Sequence, residues 1–324
     1  MGELVTLAAA LNQALLDALD GDDRVLVMGE DVGRLGGVFR VTDGLHAKFG
    51  DDRVIDTPLS ESGIIGSAIG LAMRGFRPVC EIQFDGFVFP AYDQITTQLA
   101  KYHARSGGMA KLPVTIRIPY GGGIGAVEHH SESIEAYFAH TAGLRIVSPS
   151  HARDGYQMLR EAIDCDDPVI FLEPKRRYWD KAELGQVAES LFQSRVVRAG
   201  VDATVLCYGP MVRTCLEAAG LADEEDGVSL EVIDLRTLSP LDLPPVFDSV
   251  RRTGRCVVVH EAPVFSGLGA ELVARIQQEC FFDLEAPVLR VGAPHAPYPP
   301  SRLEKFYLPD VNRILDAVDT VRGF

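Results

Sequence analysis

Two α/β domains, each on a largely parallel sheet, are the architecture this sequence predicts. The chain has 324 residues, enough for two cores at about 150 residues per domain. Strand-like and helical segments alternate along nearly its whole length, the pattern of parallel sheets covered on both faces. The alternation breaks between Lys175 and about Leu191, where Arg176-Arg177-Tyr178-Trp179-Asp180-Lys181 is polar and aromatic and reads as a linker. That places one domain at 1–175, a linker at 176–190 and a second domain at 191–324.

Taken in order, Leu4 to Leu19 has helical periodicity and Arg24 to Met28 is a short apolar strand. Thr6 fits the start of that helix, and although Met1-Gly2 through Thr6 matches a myristoylation pattern, the helix start is the plainer reading. Strands follow at Arg53 to Asp56 and Pro78 to Phe84, then a helix from about Ala91 to Arg105. Further strands are expected at Val114 to Ile118, Leu144 to Ser148 and Pro168 to Leu172, with a helix near Ala152 to Cys165. The second half repeats the pattern, with strands at Thr204 to Tyr208, Leu230 to Leu235, Arg255 to His260 and Val288 to Val291. Its helices are expected near Met211 to Leu221, Leu243 to Arg252, Ala270 to Phe281 and Val311 to Val321, with 222–227 a charged surface loop.

Composition narrows the function. With 47% hydrophobic and 24% charged residues the chain is ordinary globular protein. It carries 46 acidic against 31 basic residues, a net charge of −15, which suits neither nucleic acid nor an anionic membrane surface. The apolar stretch Gly63 to Met73 is too short to span a bilayer, and no basic region opens the chain as a secretory signal would. Six cysteines without a C-x-x-C pair read as reduced core residues of a cytoplasmic protein.

Four segments carry candidate chemistry. Glu61 stands at the mouth of the uncharged run from Gly63 to Met73, which reads as a buried helix. It is either a first-turn acid matched to the helix dipole, with Ser60 as cap, or a carboxyl in an apolar setting that shares a proton with a ligand. Glu30, in Gly29-Glu30-Asp31-Val32-Gly33, ends an apolar strand, where acids of open α/β sheets often face ligands but also sit in solvated loops. The glycines of Gly121-Gly122-Gly123-Ile124-Gly125 form either a flexible loop or a close approach for a phosphate. Glu128-His129-His130-Ser131-Glu132-Ser133 has neither metal-ligand spacing nor a nucleophile elbow, which leaves a loop histidine available as acid or base.

Together with Glu81-Ile82-Gln83-Phe84, Asp93-Gln94, Arg105-Ser106-Gly107-Gly108, Ala139-His140-Thr141-Ala142-Gly143-Leu144, Glu173-Pro174-Lys175 and Tyr307-Leu308-Pro309, these segments resemble the beta subunit of the decarboxylating component of 2-oxo acid dehydrogenases. The resemblance runs nearly end to end and is greatest to branched-chain enzymes, with pyruvate and acetoin enzymes close. It implies a transketolase-like pyrimidine domain that binds thiamine diphosphate, followed by a transketolase carboxy-terminal-like domain. It also implies a cofactor shared with an alpha subunit in a heterotetramer of two alpha and two beta chains, and acyl transfer from a 2-oxo acid to the lipoyl groups of an acyltransferase.

Residue by residue, Glu61 matches the acid that hydrogen-bonds a ring nitrogen of the aminopyrimidine and favours its imino tautomer. Phe87 falls where the family stacks an aromatic ring on the pyrimidine, often a tyrosine. Glu30 matches a second buried acid, and Leu59 and Gln83 line the same pocket by position. His130 matches the histidine that serves substrate and acyl transfer, with Glu132 where many relatives have glutamine. Backbone carbonyls of Val114, Ala162, Cys165 and Asp167 match a structural potassium site. The chain lacks the Gly-Asp-Gly motif through which thiamine enzymes hold Mg²⁺, so the resemblance assigns Mg²⁺ and the diphosphate to the alpha subunit.

Overall fold

The computed structural model describes residues 4–185 and 188–324; Met1 and Gly2 of the myristoylation-like pattern lie outside the described residues. The first-half strands are β1 (Leu4–Thr6), β2 (Val25–Gly29), β3 (Val54–Asp56), β4 (Arg77–Glu81), β5 (Thr115–Tyr120), β6 (Arg145–Val147), β7 (Val169–Pro174) and β8 (Lys181–Glu183). The second half supplies β9 (Arg195–Arg198), β10 (Ala203–Cys207), β11 (Leu230–Asp234), β12 (Thr237–Ser239), β13 (Cys256–Pro263) and β14 (Leu289–Ala293).

Two main sheets form. One has the order β12-β6-β7-β5-β4-β2-β3, parallel from β6 to β3, and the other β14-β13-β10-β11-β9, parallel apart from β9. The α/β reading therefore holds. The sheets are not strictly sequential, because β12 from the second half pairs antiparallel with β6, Thr237 opposite Val147. The parallel strands read as unbroken apolar runs because both faces are covered: Val27, Ile116, Ile170 and Phe171 have no exposed surface. Helices Leu7–Gly21 and Ala152–Asp164 pack on one face, and helix Glu61–Met73 lies against β4 on the sheet's own edge of the site.

Five local expectations change. Leu4–Thr6 is not helical but pairs with β8, and Thr6 caps the helix by accepting the Ala9 amide at 3.2 Å. The stretch expected as one helix from Ala91 is a 3₁₀ segment (Asp85–Ala91), a π segment (Gln94–Leu99) and a short α-helix (Ala100–Arg105). Pro90 has no N–H to give, and the Thr96 and Thr97 hydroxyls back-bond to Tyr92 and Asp93 carbonyls at 2.8 Å. The acids read as a loop at 222–227 continue helix Met211–Asp226, with Ala222 buried on its core face and Gly227 closing it at φ 66°. The Arg176–Lys181 stretch is packed rather than loose, with Tyr178 fully buried and its hydroxyl 2.5 Å from Glu173. The helix at Glu61–Met73 buries only one side; Ser62, Gly63, Ser67, Gly70 and Met73 face out.

All six cysteines are free, five buried and Cys165 half-buried. No helix among the described residues is long and apolar enough to cross a membrane.

Candidate active site

Three neighbouring parallel strands, β4, β2 and β3, end on the same sheet edge, where ligands of open α/β sheets bind. β2 delivers Glu30 and Asp31, β3 leads through Thr57-Pro58-Leu59-Ser60 into helix Glu61–Met73, and β4 leads to Gln83. Ser60 caps the helix by accepting the Gly63 amide at 3.3 Å, which fixes Glu61 in the first turn, and Glu61 is buried. Glu61 is thus a first-turn acid, as the helix-dipole reading expects, and its side chain is buried.

Glu30 sits within electrostatic reach of Glu61. Burial, then the like charges of Glu61 and Asp31, push the Glu30 carboxyl upward, and its Oε1 is buried without a hydrogen-bond partner. Gln83 ties the group together by donating to Asp31 Oδ2 at 3.1 Å and to the Glu30 carbonyl at 3.4 Å. Leu59 stands at the rim, 80% exposed. A buried acid, an orphaned acceptor and an uncovered leucine make a wall that is open on one side.

The 3₁₀ segment after β4 packs between helix Glu61–Met73 and the turn Glu128–His130. It presents Phe87, half-buried, edge-on to Phe84 at 5.8 Å and to His130 at 5.1 Å. Phe84 lies 4.4 Å from the His130 ring. Burial, with His129 adding, lowers the His130 pKa, so the neutral ring is favoured, and its Nδ1 has no hydrogen-bond partner.

Two supports were missed in the sequence. A Cβ at Gly86 would lie 2.5 Å from His129 Cβ and carbonyl oxygen, so only glycine lets the histidine turn come this close. Asp85 is fully buried, accepts the Glu132 amide at 2.8 Å and forms an ion pair with Lys175, whose Nζ lies 5.7 Å over the Phe84 ring. The Asp-Gly pair just before an aromatic residue was the available signal. Beneath them Arg117 on β5 joins Glu173 on β7, at 2.6 and 2.9 Å, to Glu81 on β4 at 2.6 Å.

The amides of the glycine run are not free to cradle a phosphate. They are taken by second-domain carboxylates: Gly122 donates to Glu261, and Gly123 to Glu304 at 2.9 Å. Val114, Ala162, Cys165 and Asp167 gather at the opposite, amino-terminal sheet edge. There the Ala162 carbonyl, at the end of helix Ala152–Asp164, accepts from Cys165 N and Thr115 Oγ1 at 3.2 Å, and the Cys165 carbonyl accepts from Arg77 at 3.2 Å. Among the described residues no three His, Cys, Asp or Glu side chains are grouped to hold a metal.

Two family models match the chain. Residues 3–180 match the transketolase pyrimidine-binding domain, and residues 193–314 the transketolase C-terminal domain. The chain is 59% identical to a pyruvate dehydrogenase E1 component subunit beta of Leifsonia xyli, over 96% of this chain and 92% of that one. It is 55% identical to a 3-methyl-2-oxobutanoate dehydrogenase subunit beta of Mycobacterium tuberculosis, over 98% and 92%. A 2-oxoisovalerate dehydrogenase subunit beta of Pseudomonas aeruginosa is 45% identical over 96% and 93%. Among solved structures, a split-gene transketolase in an inactive beta4 tetramer superposes with a TM-score of 0.81 at 22% identity over 98% of both chains, a likeness of fold.

Proposed function

The chain belongs to the beta subunits of the decarboxylating component of 2-oxo acid dehydrogenases, and we propose that it serves a branched-chain enzyme acting on 3-methyl-2-oxobutanoate. The observation that carries the site is Glu61 buried beside a Glu30 whose Oε1 has no hydrogen-bond partner, on a wall whose rim is uncovered, as half of a shared pocket would be. The residues fit the aminopyrimidine end of thiamine diphosphate. Glu61 would hold a proton at a ring nitrogen, Phe87 would lie against the ring, and Gln83 and Leu59 would border it. When bound, the cofactor supplies the electron sink for decarboxylation. Glu30, kept protonated more readily by burial and by Glu61, couples to that proton. His130 offers the free Nδ1 as donor or acceptor when the acyl group passes to lipoamide.

The alpha subunit would cover the exposed side of helix Glu61–Met73, complete a heterotetramer of two alpha and two beta chains, and hold Mg²⁺ with the diphosphate. The carbonyls of Val114, Ala162, Cys165 and Asp167 are hard oxygen donors, two of them beside a helix carboxyl end where partial negative charge collects, and suit potassium as a structural ion. The second domain, with 19 acids and 13 bases from Ser190 to Phe324, would meet a basic binding domain of the acyltransferase. The compartment is the cytoplasm. A pyruvate-specific enzyme is the second reading, favoured by the 59% identical relative. Co-purification with the alpha subunit, then turnover on 3-methyl-2-oxobutanoate against pyruvate, decides between them: a higher kcat/KM for pyruvate rejects the branched-chain reading, and no turnover of either rejects both.

A further inference from the structure

A cavity of about 630 Å³ lies between the two domains, the volume of a small-molecule site. One wall is the stretch that follows His130, from Ser131 to Ile134; the opposite wall is the segment after Glu261 and the loop around His295. Its charge is one-sided. Two carboxylates, Glu132 and Glu261, line it, and no Lys or Arg does. Glu261 is already matched, by the Gly122 amide and by Arg176 at 3.0 Å. Glu132 is not. Among the described residues its carboxylate makes no hydrogen bond or ion pair, while Asp85 fixes its backbone amide at 2.8 Å. Burial, then Asp85 and Glu128, push its pKa upward, and only His129 opposes them. A half-buried carboxylate among like charges is costly unless something cationic joins it. The neighbouring Ser131 and Ser133 hydroxyls are also buried without partners.

The remaining walls are aromatic. Phe265 stacks on His295 with centroids 4.4 Å apart, Tyr298 stands edge-on to Tyr307 at 5.0 Å, and Tyr92 and Tyr137 lie 6.4 Å apart. Aromatic side chains lining a cavity beside an unpaired carboxylate suit an organic cation, whose apolar surface they cover and whose charge a ring face attracts. The unpaired Glu132 carboxylate disfavours an anion such as a 2-oxo acid or a phosphate. We propose that this interdomain cavity binds a small organic ammonium ion, with the Glu132 carboxylate as its counter-ion and the aromatic pairs as its walls. Its occupant would touch the segment that continues directly from His130. The proposal does not rest on the thiamine reading of the Glu61 site.

Calorimetric titration of the full chain, and of its complex with the alpha subunit, tests it with choline and the uncharged isostere 3,3-dimethylbutan-1-ol. Choline is expected to bind both preparations about tenfold more tightly than the isostere. Glu132→Gln should weaken choline about tenfold and leave the isostere unchanged. Phe265→Ala, at a ring 65% exposed and outside the core, should weaken choline severalfold, which keeps the test open if the Glu132 variant fails to fold. Absent choline binding, equal affinity for the isostere, indifference of choline to both substitutions, or loss of the site on assembly would each overturn the proposal.

Discussion

Replacing Asp85 by asparagine removes one charge and almost no volume. Asp85 and Lys175 are both fully buried, and their ion pair links the 3₁₀ segment under Phe87 to the end of β7. The amide still offers an oxygen to the Glu132 N–H, so the substitution isolates the fate of the Lys175 ammonium. Left alone, that ammonium keeps the Pro119 carbonyl at 3.5 Å, the face of Phe84 at 5.7 Å and the more distant charge of Glu261. Breaking a buried pair by removing one partner costs about 3–5 kcal/mol, and the aromatic face returns part of this, so a loss of about 3 kcal/mol at neutral pH is expected. The pH dependence supplies a signature. Burial already lowers the Lys175 pKa, and losing Asp85 lowers it further. A group with a depressed folded pKa stabilises the fold above its unfolded value and loses that stability as pH falls through the folded value. The deficit of Asp85→Asn should therefore shrink as pH rises toward the free-lysine value of 10.5. Urea unfolding at neutral and alkaline pH measures it, with Asp85→Leu/Lys175→Met as the control that removes both charges. A loss below about 1 kcal/mol in the single variant, or a double variant as damaged as the single, would refute the reasoning.

Other outcomes follow from the same structure. Glu61→Gln keeps the shape and loses the shared proton, so decarboxylation should fall about 10²–10⁴-fold while circular dichroism and assembly with the alpha subunit stay normal. His130→Ala should impair acyl transfer to lipoamide more than decarboxylation read with an artificial electron acceptor, as the ratio of the two rates will show. Burial raises the Glu135 carboxyl to about 7, with Tyr208 donating to it at 2.6 Å. Its protonated form favours the fold, so the Glu135 contribution to stability is fully present below the ordinary 4.5 and is lost as pH rises through about 7. Glu135→Gln should flatten that decline, by up to about 3 kcal/mol, in denaturation curves across the range. The isolated chain should show no micromolar binding of thiamine diphosphate in calorimetry, because its wall is open beside Leu59.

Much of this was legible because the signals were local. Ser60 before an uncharged run gave the cap, the helix and the position of Glu61 together, and the apolar strands gave both sheets. What escaped were features that depend on a distant partner. Nothing around Gly121–Gly125 says that its amides meet Glu261 and Glu304, more than a domain away in sequence. The acids at 223–226 look solvated in isolation, and are, but Ala222 beneath them keeps the helix going. Asp85 and Lys175 each look like surface charges until the fold brings them together. The outward side of helix Glu61–Met73 escaped for a related reason: a lone chain leaves uncovered what its composition marks for burial.

The antiparallel pairing of β12 with β6 also bears on biosynthesis. A ribosome making this chain releases Leu4 to Glu183 long before Thr237–Ser239 emerges, so until then β6 is a bare edge with unpaired amides and carbonyls. The first sheet cannot be finished as the chain is made, and its last ladder awaits a segment from the middle of the other half. Cutting the gene at the obvious junction would therefore leave the amino-terminal fragment with a sticky edge. The two halves share a closing strand and one continuous apolar core, in which Phe138 and Ile146 join Tyr208, Leu238 and Leu272, and they mature as a single unit.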